Sequence, residues 1–248
     1  MFDRAKIVDE NFLLLIQNGN LPSSKYKLNL SDTNFSTEDL VSVFESQVIS
    51  RHIDLKARAL KNEGKCFYTI GSSGHEGNAV FGKVFQIQDI AFLHYRSAPL
   101  FIERSKKQNG TTPIYDLALS FMASSDDPIS GGRHKVIGSK ELNIPPQTST
   151  IASHLPKAVG TAFSIDHAKG LDISERCLND ESIVICSFGD ASANHATALS
   201  AFNTARLISN QGGHVPIVFI CEDNGLGISV PTQANWIEKN FKNQNNLK

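Results

Sequence analysis

The chain has 248 residues, with 24 lysines and arginines against 25 aspartates and glutamates, a net charge of −1, 40% hydrophobic residues and 20% charged ones. That balance excludes an intrinsically disordered chain, which is poorer in apolar residues and richer in one sign of charge, and it speaks against a basic nucleic-acid binder. No run approaches the roughly 20 apolar residues that a membrane-spanning helix needs, and the opening Met1-Phe2-Asp3-Arg4 lacks the basic flank and apolar block of a secretory signal. Residues 1–35 read as an N-terminal arm: a short apolar block at 12–16, then a polar stretch at 18–34 expected to be extended or looped. A helix is predicted from Ser36, where Asp39 stands at capping distance, to Gly64 as its stop. Cys66-Phe67-Tyr68-Thr69-Ile70 reads as a strand running into a glycine loop. Residues 77–86 and 113–123 are predicted helical, 124–149 an ordered Ser/Gly/Pro-rich loop region, and 156–167 helical. The run Arg104-Ser105-Lys106-Lys107 reads as a solvated patch. The four cysteines (Cys66, Cys177, Cys186, Cys221) show no CxxC spacing and read as small buried hydrophobes of a reducing compartment, which makes the cytoplasm the expected location.

Two later segments are continuously apolar, 182–188 and 215–221, with an Ala-rich helical segment at 193–210 between them. Apolar runs without alternation indicate strands buried on both faces, hence a parallel sheet covered by helices. Strand, helix, strand makes a right-handed crossover, so the predicted class is α/β with a doubly wound parallel sheet. In such sheets ligands bind beyond the C-terminal strand ends. Here those ends read Gly189-Asp190-Ala191-Ser192 and Glu222-Asp223-Asn224-Gly225-Leu226-Gly227. Side by side they gather a carboxylate, an amide and loop carbonyls, oxygen ligands suited to Mg²⁺. A helix predicted to start near Ser192 would aim its free N–H groups at the same spot, which favours a phosphate. Each motif alone is also ordinary turn chemistry. The segment Gly71-Ser72-Ser73-Gly74-His75-Glu76-Gly77 lacks dinucleotide-loop spacing and reads as a loop opening a helix. His75 either lines the active site or is a plain loop histidine.

The paired strand ends resemble the thiamine diphosphate motif, which begins Gly-Asp-Gly and ends Asn-Asn about thirty residues later. From about residue 37 to 232 the chain resembles the alpha part of the E1 component of 2-oxo acid dehydrogenase complexes, branched-chain type. The match runs through Gly74-His75-Glu76-Gly77, Tyr95-Arg96, Gly132-Arg133, Gly138-Ser139-Lys140-Glu141, Leu155-Pro156-Lys157-Ala158-Val159-Gly160, Gly189-Asp190, Phe202-Asn203 and Glu222 to Ser229. It implies a thiamine diphosphate-binding fold over residues 36–248 and cofactors thiamine diphosphate and Mg²⁺. By the same resemblance Asp190, Asn224 and the Leu226 carbonyl ligate the metal, and Tyr95, Arg96, Gly189, Ala191 and Ser192 meet the diphosphate. Arginine suits that task because its guanidinium forks onto phosphate oxygens. Ser149, Thr150 and Ile151 match the segment beside the aminopyrimidine ring. His75 and His134 are the candidate catalytic histidines; family members carry a histidine where this chain has Ile137, so His134 either substitutes for it or faces solvent. For His154 the choice is between approach to the cofactor and no role, and for His195 between the diphosphate and helix packing.

The resemblance also implies the reaction: decarboxylation of a 2-oxo acid, 3-methyl-2-oxobutanoate before pyruvate, with the acyl group passed to a lipoyl group on an E2 acyltransferase. A beta-type domain or subunit supplies the glutamate that activates the cofactor in this family, and no segment here matches it. The chain is therefore expected to be the N-terminal part of a longer or fused protein, or a truncated one. Three features depart from the family: Ala191 replaces a glycine, Asp223 replaces an asparagine, and the two motifs lie a few residues further apart. They motivate a second reading, a non-catalytic paralogue that binds a partner chain without turnover.

Overall fold

The computed structural model describes residues 4–21, 23, 28–67, 70–171, 178–228 and 230–242. It divides into two compact units, Met1–Ser42 and Val43–Lys248. In the first, α1 (Arg4–Gln17) forms where the sequence predicts no helix; its apolar residues run consecutively at 12–16, which masks helical spacing. The first unit also starts α2 (Thr37–Asn62). The Asp39 N–H donates to Ser36 Oγ (3.1 Å) and the Ser36 N–H donates to Asp39 Oδ2 (3.0 Å), so aspartate closes the reciprocal cap. At the other end Gly64 adopts φ +71°, and the Lys65 and Gly64 N–H groups bond the Leu60 and Lys61 carbonyls (2.9 and 3.0 Å).

The second unit continues through α3 (Ala79–Val84), β1 (Ile90–Phe92), α4 (Ala98–Ser105), α5 (Pro113–Met122), β2 (Ile137–Ser139), β3 (Ile144–Gln147), α6 (Leu155–Gly170), β4 (Val184–Gly189), α7 (Ala196–Asn210), β5 (Ile217–Glu222), β6 (Leu226–Gly227), β7 (Val230–Pro231) and α8 (Trp236–Phe241). Strands β1, β4 and β5 form a parallel sheet in that order, with β4 central and all six of its residues buried. Successive residues point to opposite faces. Val184, Cys186 and Phe188 pack with Phe92 against Ala158, Ala162, Ala198, Ala201 and Phe202 of α6 and α7. Ile185, Ala91 and Leu93 pack the other way, against Ala57, Leu100, Phe101 and Phe121 of α2, α4 and α5. The chain is thus a mixed helix/strand protein whose parallel sheet is covered on both faces. Among the described residues no helix is long and apolar enough to cross a membrane.

Several expectations are corrected. β5 is less buried than its sequence predicts, with Val218 38% exposed, because among the described residues it pairs on one side only. Among the described residues of 66–70 no strand forms. Cys66 and Phe67 lie in bends, Tyr68 and Thr69 fall outside the described residues, and Phe67 is 80% exposed, so no buried face holds a ladder there. The predicted loop at 124–149 contains the antiparallel hairpin β2–β3. Cys177 also falls outside the described residues; Cys186 is buried, and Cys66 and Cys221 are free thiols at intermediate depth.

Arg104 and Ser105 are not a solvated patch. Arg104 is fully buried, with Nε donating to the Leu142 carbonyl (2.8 Å) and Nη2 to those of Ile87 (3.0 Å) and Asp89 (2.5 Å). Through these three carbonyls the guanidinium ties α4 to the hairpin and to the approach to β1, while its Nη1 is buried without a partner. α4 also packs tightly on α3: a Cβ added to Gly82 would lie 2.6 Å from the Leu100 carbonyl oxygen and 3.0 Å from the Arg104 nitrogen. Gly82→Ala should therefore destabilise by about 1–3 kcal/mol despite alanine's better helix propensity. Gly160→Ala in α6, where the new methyl meets open space, should stabilise by about 0.5–1 kcal/mol. Urea midpoints of the two variants check this; a shift of the same sign in both would refute it.

Candidate active site

Three strand ends meet at one edge of the sheet: His94, Tyr95 and Arg96 beyond β1, Gly189 to Ser192 from β4, and Asp223 to Gly227 beyond β5. The register sets Gly189 directly beside Glu222, as adjacent parallel strands require. A cavity of about 670 Å³ opens over these ends. It is lined by His75, Tyr95, Arg96, Ile151, Gly189, Asp190, Ala191, Ser192 and Leu226 of the residues expected from sequence. His94, His195, Asp223, Thr232 and Trp236 line it as well. Ser149, His134 and the Asn224 side chain are not among the lining groups. Asn224 sits at the rim, where its Nδ2 donates to the Gly74 carbonyl (3.3 Å) and its Oδ1 accepts the Leu226 N–H (3.0 Å).

The loop carrying His75 is held from α2. Asp54 Oδ2 accepts both the N–H (2.7 Å) and Oγ (2.8 Å) of Ser72, Ser50 shares a hydrogen bond with Ser72 (2.7 Å), and Arg51 donates to Ser73 Oγ (2.8 Å). Gln47 donates to the Glu76 carbonyl (3.1 Å). From the other side Arg96 Nη1 donates to the Gly71 carbonyl (2.7 Å). Gly74 needs its freedom, since at φ +84° a Cβ would press on the Asn224 amide at 2.7 Å. These α2 side chains read in the sequence as ordinary polar helix positions, and only the fold reveals their common target.

Beyond β4 the chain departs from expectation. A short 3-10 turn spans Asp190–Asn194, His195 then turns to extended backbone, and α7 begins only at Ala196. The N–H groups nearest the cavity thus belong to this turn rather than to the long helix. His195 Nδ1 accepts the Thr197 N–H (3.2 Å), capping α7 while the residue also lines the cavity. Ala191 carries its extra methyl against Gly227, where any Cβ would approach it to 3.0 Å. Gly227 therefore makes the room that Ala191 needs.

Asp190 is buried and accepts a hydrogen bond from Thr232 Oγ1. Asp223 lies beside it; partial burial first, then the Asp190 charge, raise the Asp223 carboxyl above the usual aspartate range. A cation would relieve that repulsion. Among the described residues no three His, Cys, Asp or Glu side chains converge on a metal position. The donor set is one or two carboxylates with amide and backbone oxygens, which suits Mg²⁺, an ion that keeps several waters. Of the buried imidazoles, His75 and His94 line the cavity, whereas His154 is not among its lining residues. Burial foremost pushes His75 down to about 4; Arg96 adds to this and Asp190 opposes it. His154 Nε2 bonds the Ser187 carbonyl (2.7 Å), and burial pushes its pKa to about 4 as well. Both rings are neutral at pH 7.

The fold and cavity together define an α/β protein with a pocket lined by charged and polar side chains at the ends of its parallel strands. Residues 44–245 match the family model described as dehydrogenase E1 component, and the chain belongs to that family of oxidoreductases. Among its relatives is the 2-oxoisovalerate dehydrogenase subunit alpha of Mus musculus, 28% identical over 207 residues, covering 83% of this chain and 42% of the relative. The mitochondrial subunit of the same name from Caenorhabditis elegans is 26% identical over 209 residues (83% and 43%). The Bacillus subtilis (strain 168) subunit is 26% identical over 199 residues (78% and 54%). The chain spans about half the length of the curated relatives it matches.

Proposed function

We propose that the chain is the diphosphate-binding part of a 2-oxo acid dehydrogenase E1 component that uses thiamine diphosphate and Mg²⁺. The observation that carries this is the single cavity in which Tyr95 and Arg96, the Gly189–Ser192 turn and the Asp223–Gly227 loop converge. Asp190, Asn224 and the Leu226 carbonyl would hold the metal; the second lone pair of the Asn224 amide oxygen remains for that purpose. Arg96, Tyr95 and the backbone of Gly189, Ala191 and Ser192 would hold the diphosphate, and Ser149 and Ile151 would lie toward the aminopyrimidine. Bound there, the cofactor would supply an electron sink for loss of CO₂ from the 2-oxo acid. His75, neutral at pH 7 and with a buried Nδ1 that has no partner, would offer one nitrogen to the reacting end. His134 would act only if a partner chain extends the site to it.

The three described parallel strands are read as the centre of a doubly wound sheet of this cofactor fold, supported by the helices on both faces. The remaining parts follow from the same reading: a beta-type subunit or domain, a lipoyl-bearing E2 partner, and a branched-chain 2-oxo acid, the last supported by the names of the relatives; a cytoplasmic location rests on the sequence reading alone, since the Mus musculus and Caenorhabditis elegans relatives are named mitochondrial. Titrating thiamine diphosphate with Mg²⁺ into the chain plus its beta-type partner should give saturable, metal-dependent binding. Decarboxylation should then favour 3-methyl-2-oxobutanoate over pyruvate in kcat/KM. Absence of binding would favour the non-catalytic paralogue, and binding with a preference for pyruvate would overturn the substrate assignment alone.

A further inference from the structure

We propose that His94 is a positioning residue that holds the His75 imidazole at the cavity wall and locks the glycine-rich loop to Arg96. The proposal rests on reading the cavity as a diphosphate site. The rings of His75 and His94 are stacked, with centroids 4.8 Å apart and planes 3° from parallel. On its other side His94 meets the Tyr95 ring at 3.9 Å, and the Arg96 guanidinium lies 5.3 Å from the centre of that tyrosine. Arg96 closes the circuit with its hydrogen bond to the Gly71 carbonyl (2.7 Å), at the start of the loop that bears His75. Loop, histidine pair, tyrosine and arginine form one closed ring of contacts.

His94 is itself fixed from three directions. Its backbone N–H donates to Ser187 Oγ (2.8 Å), its Nδ1 accepts the Arg96 N–H (3.2 Å), and its side chain is buried. Acceptance at Nδ1 places the proton of the neutral ring on Nε2. Both imidazoles face the end of β4: a Cβ added to Gly189 would lie 3.8 Å from His94 Nε2 and 3.8 Å from His75 Cε1. Asp190 follows in the chain. His75 has its Nδ1 buried without a hydrogen-bond partner. Its orientation therefore depends on the flat surface beneath it. An aliphatic side chain at 94 would fill volume but offer neither a face for parallel stacking nor an acceptor for Arg96.

Two variants separate the functions of the ring. His94→Phe keeps the flat face and loses the acceptor, whereas His94→Gln keeps an acceptor and loses the face. The first readout is the His75 side-chain nitrogen and proton spectrum of the full chain, which needs no ligand. The second is the calorimetric affinity for inorganic pyrophosphate with Mg²⁺. His94→Phe should leave the His75 tautomer unchanged and weaken pyrophosphate less than tenfold, through the lost acceptor for Arg96 alone. His94→Gln should scramble the His75 signals and weaken pyrophosphate at least tenfold, with near-ultraviolet circular dichroism confirming a folded core in both. Unchanged His75 signals in a folded His94→Gln, or equal damage in both variants, overturns the proposal. Failure of the parent protein to bind pyrophosphate overturns the diphosphate reading instead, and the spectra still decide the role of His94.

Discussion

Asp190→Asn is expected to abolish metal-dependent cofactor binding while leaving the fold intact. Asp190 is 3% exposed and borders the cavity beside Asp223. Asparagine matches its shape and can still accept the Thr232 hydroxyl, so packing survives. What disappears is the charge a divalent cation needs at this depth. Removing one partner from a buried charge pair costs about 3–5 kcal/mol, which corresponds to a 100-fold or greater loss of affinity. Without ligand the variant should be no less stable than the parent, because the repulsion felt by Asp223 goes with the charge. Titrations of thiamine diphosphate with and without Mg²⁺ measure the effect. An Asp190→Asn protein with the parental affinity and metal dependence would falsify the assignment of this carboxylate.

A second large effect is expected on acidification. Burial pushes His75 and His154 to about 4 and His94 well below its ordinary value, whereas in the unfolded chain each titrates near ~6.5. Between those limits the unfolded state binds protons that the native state refuses, so stability falls as pH drops from about 6.5 toward 4. His75 and His154 each contribute on the order of 3 kcal/mol to that loss, and His94 acts in the same direction. Glu222 works against them: burial raises it to about 7, so its protonation stabilises the fold over an overlapping window. Three histidines outweigh one glutamate, and the net slope is toward acid unfolding. His154→Gln, which retains a donor for the Ser187 carbonyl, should flatten the profile, and Glu222→Gln should steepen it. Urea midpoints at pH 7.5 and pH 5.0 decide; equal midpoints for the parent protein at both values would refute the balance.

The sequence was most legible where local signal and tertiary role coincide. β4 is a continuous apolar run with both faces buried, and α2 is bracketed by Ser36 and Gly64, whose capping chemistry is local. The Gly189-Asp190 and Asp223–Gly227 ends could be paired in advance because adjacent parallel strands leave them no other place. Other parts depend on distant neighbours. α4 buries Glu103 and Arg104 as completely as Leu100, so its pattern does not look amphipathic. β1 has three residues and no turn signal before it, and β3 contains Pro145 and Pro146, which ordinarily argue against a strand. In the site, His94 gave no sign of a role because its partners, His75 and Ser187, lie far along the chain. Asp190, by contrast, stood out because its motif is contiguous.

The pairing of β1 with β4 also bears on how the protein assembles during synthesis. β4, α7 and β5 form a nearly local unit, whereas Ile90 meets Val184 only across about ninety intervening residues. Closing so long a loop carries an entropic cost that grows only slowly with its length, roughly as 1.5RT times the logarithm of the residue number, but pairings of this kind form slowly. The Tyr95–Arg96 wall of the cavity hangs from that late-forming strand. A nascent chain can therefore complete its acidic loops as a local unit before the basic wall docks, and the pocket acquires its balance of charge only at the final step.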